Sequence, residues 1–288
     1  PIHGYDLDAL IATSPANIRY LTGYVCCFDP VMKEYMLNPG VGSQLMQSYA
    51  LYPLDGRAAL VVNPFFAVNA SSLWVEDLYL FGQTAVDLSH SGEPGSQSLQ
   101  SVRHLLEEAG DSVTASAALL KAIADRGLSE GRIGIELEPL PGGCERAISN
   151  GLPRANIRDA TNLLRLVRMV KSPEELARMT RAAAISEEVA LPILSEAATG
   201  VTMRELSRRY RAGVAAAGAD FEHFVYSIRG LGLAQAETDH VIKEDDSMQC
   251  DFGCIYEGYY SDTGVTLAME RAPETHMAKY QHLRAAVD

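Results

Sequence analysis

The sequence predicts two consecutive domains, an α/β domain over residues 1–162 and an α+β domain over residues 163–288. Three observations lead there. Short apolar runs that stop at turns alternate with helical patterns in the first half. A strong helix start opens the second half, and strand-like segments follow its two helices.

In the first domain, Ala9-Leu-Ile-Ala-Thr13 reads as a buried strand ended by the Ser14-Pro15 turn. Asn17 to Tyr24 is a short helical turn leading into Thr22-Gly23. The Asp55-Gly56 turn precedes a strand at Ala58–Asn63. Helices fit Gln97–Ala109 and Thr114–Arg126, stopped by Gly110 and Gly127, and Arg132–Glu136 is a further strand. Ser89 to Ser98 is a Ser/Gly-rich loop, and Gly40 to Gly42 lacks the strand-to-helix setting of a phosphate loop.

Composition changes after Asn162. Leu163 to Lys171 alternates apolar and basic residues and runs into Ser172-Pro-Glu-Glu. Serine as N-cap, proline at the first helical position and acids in the first turn make a helix start. Leu176, Met179, Ala183, Ala190 and Leu194 form its apolar stripe, and Gly200 is its expected stop. Thr202-Met-Arg-Glu205 is a capping box for a second helix that ends near Gly218. Phe224–Ile228, Met248–Phe252 and Tyr259–Ala268 then read as strands, and Glu270 to Val287 as a charged helical tail.

Composition bounds the function. Apolar residues make up 47% and charged residues 21% of 288, as in a soluble globular protein. A net charge of −13 makes nucleic acid and anionic membrane poor partners. Five cysteines, with Cys26 and Cys27 adjacent, give no disulfide framework and point to a reducing cytosol. There is no charged-then-apolar leader, and Asn63 and Pro64 interrupt the apolar stretch Ala58–Val68; a cytoplasmic protein is expected.

The chemistry-bearing segment is Met248-Gln-Cys-Asp-Phe-Gly-Cys-Ile-Tyr-Glu-Gly-Tyr-Tyr-Ser-Asp-Thr-Gly264. With Glu257-Gly258 as a two-residue hairpin tip, Tyr256 faces Tyr259, Cys254 faces Ser261 and Gly253 faces Asp262. Asp251 shares parity with Gly253, so Asp251 and Asp262 point from one face as diagonal neighbours, and Gly253 leaves the space between them empty. Carboxylates so placed can bridge divalent cations. By the same parity Cys250 and Cys254 point to the other face and read as core fillers. Tyr256, Tyr259 and Tyr260 read either as pocket wall or as cross-strand packing.

Ala12-Thr-Ser-Pro-Ala-Asn-Ile-Arg-Tyr-Leu-Thr-Gly-Tyr24 resembles the opening of the N-terminal domain of the creatinase, prolidase and aminopeptidase P family. Lys171-Ser-Pro-Glu-Glu-Leu-Ala-Arg-Met179 is similar to the first helix of that family's pita-bread catalytic domain, and Asp251-Phe-Gly…Gly258-Tyr-Tyr-Ser-Asp262 to its first metal-binding segment. The resemblance implies a creatinase-like α/β domain followed by part of an α+β pita-bread domain. It implies two divalent ions (manganese, cobalt or zinc) with Asp251 and Asp262 as ligands, Asp262 bridging, and a water activated by the pair. It also implies a homodimer and a small peptide or small-molecule substrate. The leading function is then Xaa-Pro peptide hydrolysis. The alternatives are a creatinase-like C–N hydrolase or lyase on small molecules and a non-catalytic binding protein.

Three departures from the family pattern stand out. The family's remaining ligands, a histidine and two glutamates, would fall past Asp288, which implies a fragment or a degenerate half; His276 and His282 lie in the charged tail. Thr263-Gly-Val-Thr266 replaces a threonine-arginine-threonine run, with Gly264 near the arginine's place. The place of a substrate-contacting histidine falls near Ala234-Gln235. His240, nearby but out of register, and Tyr259 are therefore the candidate substrate-binding side chains, against ordinary structural roles for both. His223, on an earlier strand, reads as a surface or hydrogen-bonded histidine.

Overall fold

A computed structural model describes residues 2–25, 47–70, 73–75, 77–82, 112–230, 239–271 and 273–287, with isolated positions between 95 and 107. Cys26-Cys27, Gly40–Gly42 and Ala234-Gln235 lie outside the described residues, as do nearly all of the Ser89–Ser98 loop and the Gln97–Ala109 helix. The chain divides into two compact units, Pro1–Val170 and Lys171–Asp288.

The N-terminal unit is built on one sheet. Strands β1 (Ala9–Ala12), β2 (Tyr49–Pro53), β3 (Ala59–Val62), β4 (Asp77–Leu80), β5 (Arg132–Ile135) and β6 (Asn156–Asp159) lie in the order β4-β3-β2-β1-β5-β6. β2 runs antiparallel to both its neighbours, and the other pairings are parallel. Ala9, Ile11, Tyr49, Leu51, Ala59 and Val61 face one core layer with helices α3 (Ala115–Asp125) and α4 (Gly142–Gly151). Leu10, Ala12, Ala50, Leu60 and Val62 face the other, shared with α1 (Pro15–Thr22) and α5 (Thr161–Met169). A short helix, α2 (Pro64–Ala67), follows β3. Because both faces are covered, the inner strands are continuous apolar runs and need no alternation.

Sequence patterning does not reveal β2, β4, β6 or α4. The edge strand β6, Asn-Ile-Arg-Asp, is mostly exposed and so has no apolar pattern. α4 opens on Gly142-Gly143 with no side-chain cap. The unit boundary also falls at Val170 rather than near residue 162, because α5 carries Leu163 and Leu164 into the N-terminal core.

The C-terminal unit packs α6 (Pro173–Ser195) and α7 (Met203–Ala216) on one face of a sheet made by β7 (Asp220–Ile228), β8 (Ser247–Tyr256), β9 (Tyr259–Tyr260) and β10 (Thr263–Ala268). A helix, α8 (Glu274–Val287), follows with no buried residue. Ser172 caps α6 in a full capping box with Glu175. α6 ends at Ser195, short of Gly200, whose φ of +95° serves the following turn instead. Thr202 accepts a hydrogen bond from the Glu205 N–H to start α7. Met248, Cys250, Phe252 and Cys254, every second residue of β8, are buried beneath Ala182, Ile185, Leu206 and Tyr210. Tyr210 sits among the rings of Phe221, Phe224 and Phe252.

β8 lies between β7 and β10 in the sheet. Its odd-numbered side chains point away from the helices. The candidate site is on that face.

Candidate functional site

The hairpin forms in the register that its sequence specifies. Glu257 and Gly258 both have positive φ, 49° and 89°, which a two-residue turn between twisted strands requires. Tyr256 pairs with Tyr259, and Phe252 with Thr263. The register is thus unchanged across the gap between β9 and β10 and sets Gly253 opposite Asp262. Asp251 lies one pleat along, between Val225 on β7 and Gly264 on β10. The two acids share the open face.

Between β9 and β10 the ladder is broken in a specific way. Ser261 N–H donates to the Cys254 carbonyl at 2.9 Å, but the Cys254 N–H goes to the Ser261 hydroxyl at 3.0 Å instead of to its carbonyl. The freed Ser261 carbonyl turns towards Gly253, where a Cβ would stand only 2.4 Å from it. A side chain at position 253 would therefore push away the segment that carries Asp262.

The space over Gly253 is not empty, contrary to the reading from strand parity alone. The imidazole of His223 fills it, with Cε1 and Nδ1 at 2.6 and 2.9 Å from where a Cβ would be. His223 pairs with Gly253 from β7, and a β-bulge at Glu222 puts it there. In a regular strand Phe221 and His223 would share a face. The extra residue sends Phe221 to the core, opposite Cys254, and His223 to the open face. Nothing local in the sequence signals that bulge, so His223 reads there as an ordinary histidine.

His223 Nε2 lies 3.0 Å from Asp251 Oδ1, and Nδ1 is paired with the Glu222 carboxylate. Burial of the ring opposes its charged form, but the two carboxylates outweigh burial and raise its pKa above the ordinary histidine value. Donor atoms of His223, Asp251 and Asp262 all lie within 4.8 Å of one another; the first two are half-buried and Asp262 is exposed. One nitrogen and two carboxylates, set around a cradle that a Cβ would fill, fit a divalent cation among the described residues.

The other candidate residues are held elsewhere in the unit. His240 Nε2 is 2.7 Å from Asp246 Oδ2, in a polar knot where the fully buried Asp246 also accepts from Arg229 Nε and the Lys243 N–H. Burial alone would raise the Asp246 pKa, but the bonds from His240, Lys243 and Arg229 reverse that and lower it. The Tyr259 hydroxyl donates to Glu175 Oε1 at 3.1 Å. The same Glu175 closes the α6 capping box, and Arg178 reaches Glu257 at the hairpin tip, so α6 and the hairpin are tied together. His276 is half-buried and bonded to the Ser247 hydroxyl. Cys250 and Cys254 lie on the core face, and burial pushes the Cys250 thiol up to about 12. A cavity of about 390 Å³ in the N-terminal unit is lined by Tyr52, Arg57, Trp74 and their neighbours, with no carboxylate, histidine or thiol among the described lining residues.

Comparison with known proteins finds two family models in chain order. The one described as Creatinase/Prolidase N-terminal domain matches residues 2–170, and the one described as Metallopeptidase family M24 matches residues 177–288. The uncharacterized peptidase YqhT of Bacillus subtilis is 25% identical over 280 residues, covering 96% of this chain and 65% of that protein. The prolidase from Pyrococcus horikoshii OT3 aligns with a TM-score of 0.67 at 16% identity, over 97% of this chain and 66% of that one. The Xaa-Pro dipeptidase from Bacillus anthracis gives 0.68 at 18%, over 97% and 65%. At these identities the structural likeness carries the fold. The chain spans about 65% of the length of these relatives.

Proposed function

Since the chain belongs to the creatinase, prolidase and aminopeptidase P family, with its C-terminal unit matching metallopeptidase family M24, we propose that it serves a metal-dependent hydrolase acting on small Xaa-Pro peptides. The observation that carries this reading is the convergence of Asp251 and Asp262 on one face of the ribbon, around a glycine. A relative of similar fold is named an Xaa-Pro dipeptidase, which supports the substrate class.

A divalent cation bound there supplies Lewis acidity to polarise the scissile carbonyl and activate a water. The chain's own residues supply position. Asp251 is anchored on the central strand by pairing on both sides. Asp262 is set by the Ser261–Cys254 bonds and by the absence of a side chain at Gly253. In this reading both carboxylates would hold the cation. His240, bonded to Asp246, and Tyr259, bonded to Glu175, are the substrate-binding side chains in this reading. The free thiols Cys144, Cys250 and Cys254 suit a reducing compartment.

A second reading, a small-molecule C–N hydrolase, is favoured by Gly264. It faces Asp251, and a Cβ there would meet nothing closer than the Cys250 carbonyl at 3.2 Å, so no guanidinium braces that acid from this position. The test uses the product of the full coding sequence. Metal content is measured for the parent and Asp262→Ala, and hydrolysis is assayed on Xaa-Pro dipeptides beside cyclic ureas and amidines. Metal lost in the variant and dipeptide cleavage by the parent are expected. Equal metal content in the two proteins overturns the site. Turnover of ureas or amidines alone selects the second reading, and metal binding with no turnover selects a binding protein.

A further inference from the structure

We propose that His223 is a nitrogen ligand of the cation site, joining the two carboxylates as a third protein donor. This rests on the reading above that Asp251 and Asp262 hold a cation, and it adds a donor from a different strand.

Four features converge on that role. The first is the bulge at Glu222, which turns His223 out of the core pattern of β7. Bulges of this kind re-aim a side chain next to functional sites. The second is reach. His223 on β7 and Asp262, just before β10, flank β8 on opposite sides, with backbones about 10 Å apart. An imidazole arm laid over Gly253 closes that gap, and Gly253 has no Cβ to obstruct it.

The third is orientation. A metal-binding histidine presents one nitrogen to the ion while an outer carboxylate holds the other and fixes the tautomer. Glu222 pairs with Nδ1, and Nε2 is the atom aimed at Asp251. The bulged residue thus also orients the ring. The fourth is spacing. Donors about 2.0–2.2 Å from one ion lie roughly 3–4.3 Å from each other. The three donor atoms here lie within 4.8 Å of one another, so a small inward movement of side chains completes the contact. A histidine serving only to brace Asp251 would need neither the outer carboxylate on Nδ1 nor proximity to Asp262.

The experiment is titration of the metal-free full-length product with Zn²⁺ and Co²⁺ by calorimetry, for the parent, His223→Ala, His223→Gln and Asp251→Ala. Imidazole-nitrogen NMR of the zinc-loaded parent accompanies it. The expected result is a loss of affinity of about tenfold or more in both His223 variants, with a changed Co²⁺ visible spectrum. In the parent, the His223 Nε2 resonance moves to a metal-bound position. Unchanged affinity in the His223 variants, with binding abolished by Asp251→Ala, overturns the inference and leaves the functional reading standing. Weaker binding with an unmoved Nε2 resonance makes His223 a positioning residue and also overturns it. Binding unaffected by Asp251→Ala removes the functional reading itself. The parent's NMR requires no variant to fold.

Discussion

At position 253 a hydrogen stands where any other residue would place a carbon 2.4 Å from the Ser261 carbonyl and 2.6 Å from the His223 ring. Neither neighbour can yield freely: one is backbone, and the other is held by two carboxylates. Gly253→Ala should therefore lower stability by about 1–3 kcal/mol in urea unfolding and should abolish metal uptake by displacing the segment that carries Asp262. An unchanged midpoint with normal metal uptake would contradict this geometry. Asp246 is the second residue on which the unit depends. It is completely buried and holds His240, Arg229 and the Lys243 N–H. Asp246→Ala removes the acceptor shared by these groups, while Arg229 keeps its bond to Asp245, and should cost about 1–3 kcal/mol, read from the same denaturation curves.

At the level of elements, helix starts and strand ties behave as local chemistry dictates. Ser172→Ala removes the acceptor for the Glu175 N–H and should cost about 1 kcal/mol. Glu175→Ala should cost more, because Glu175 also receives the Tyr259 hydroxyl and so joins α6 to the hairpin; thermal melts of the two variants give the order. In the N-terminal unit, Asp8 at the head of β1 accepts from the Arg132 guanidinium and backbone N–H at the head of β5. Those bonds lower the Asp8 pKa to about 2, against an ordinary value near 3.9. The folded form holds the carboxylate more strongly, so this contribution is complete above about pH 4 and is lost as pH falls towards about 2. Asp8→Asn should flatten the fall in unfolding midpoint over that interval. Parallel pH profiles for the two proteins would show that the tie contributes nothing.

At the scale of the whole chain, a cation bound only by the native state stabilises it through mass action. At a free concentration about 100 times the dissociation constant, Co²⁺ or Zn²⁺ should add about 2.7 kcal/mol. EDTA should reverse the gain, and Asp251→Ala should lack it; a melting temperature indifferent to both ions would remove the site. The order of elements in the C-terminal unit is legible in the sequence because its signals are local: Ser172-Pro-Glu-Glu caps a helix, and Glu257-Gly258 sets a hairpin register that fixes which acids share a face. β4 and β6 were not legible, since parallel edge strands draw their pairing from distant partners and little from their own pattern. His223 was missed for the same kind of reason. By itself the sequence determined the family, the two-part architecture and the shared face of Asp251 and Asp262, all of which follow from contacts within a few residues or from motif order. Only the tertiary structure placed a histidine from a bulged neighbouring strand over Gly253, because strand pairing and bulge position are settled by burial of Phe221 and Phe224 against a core made by residues far away in the chain.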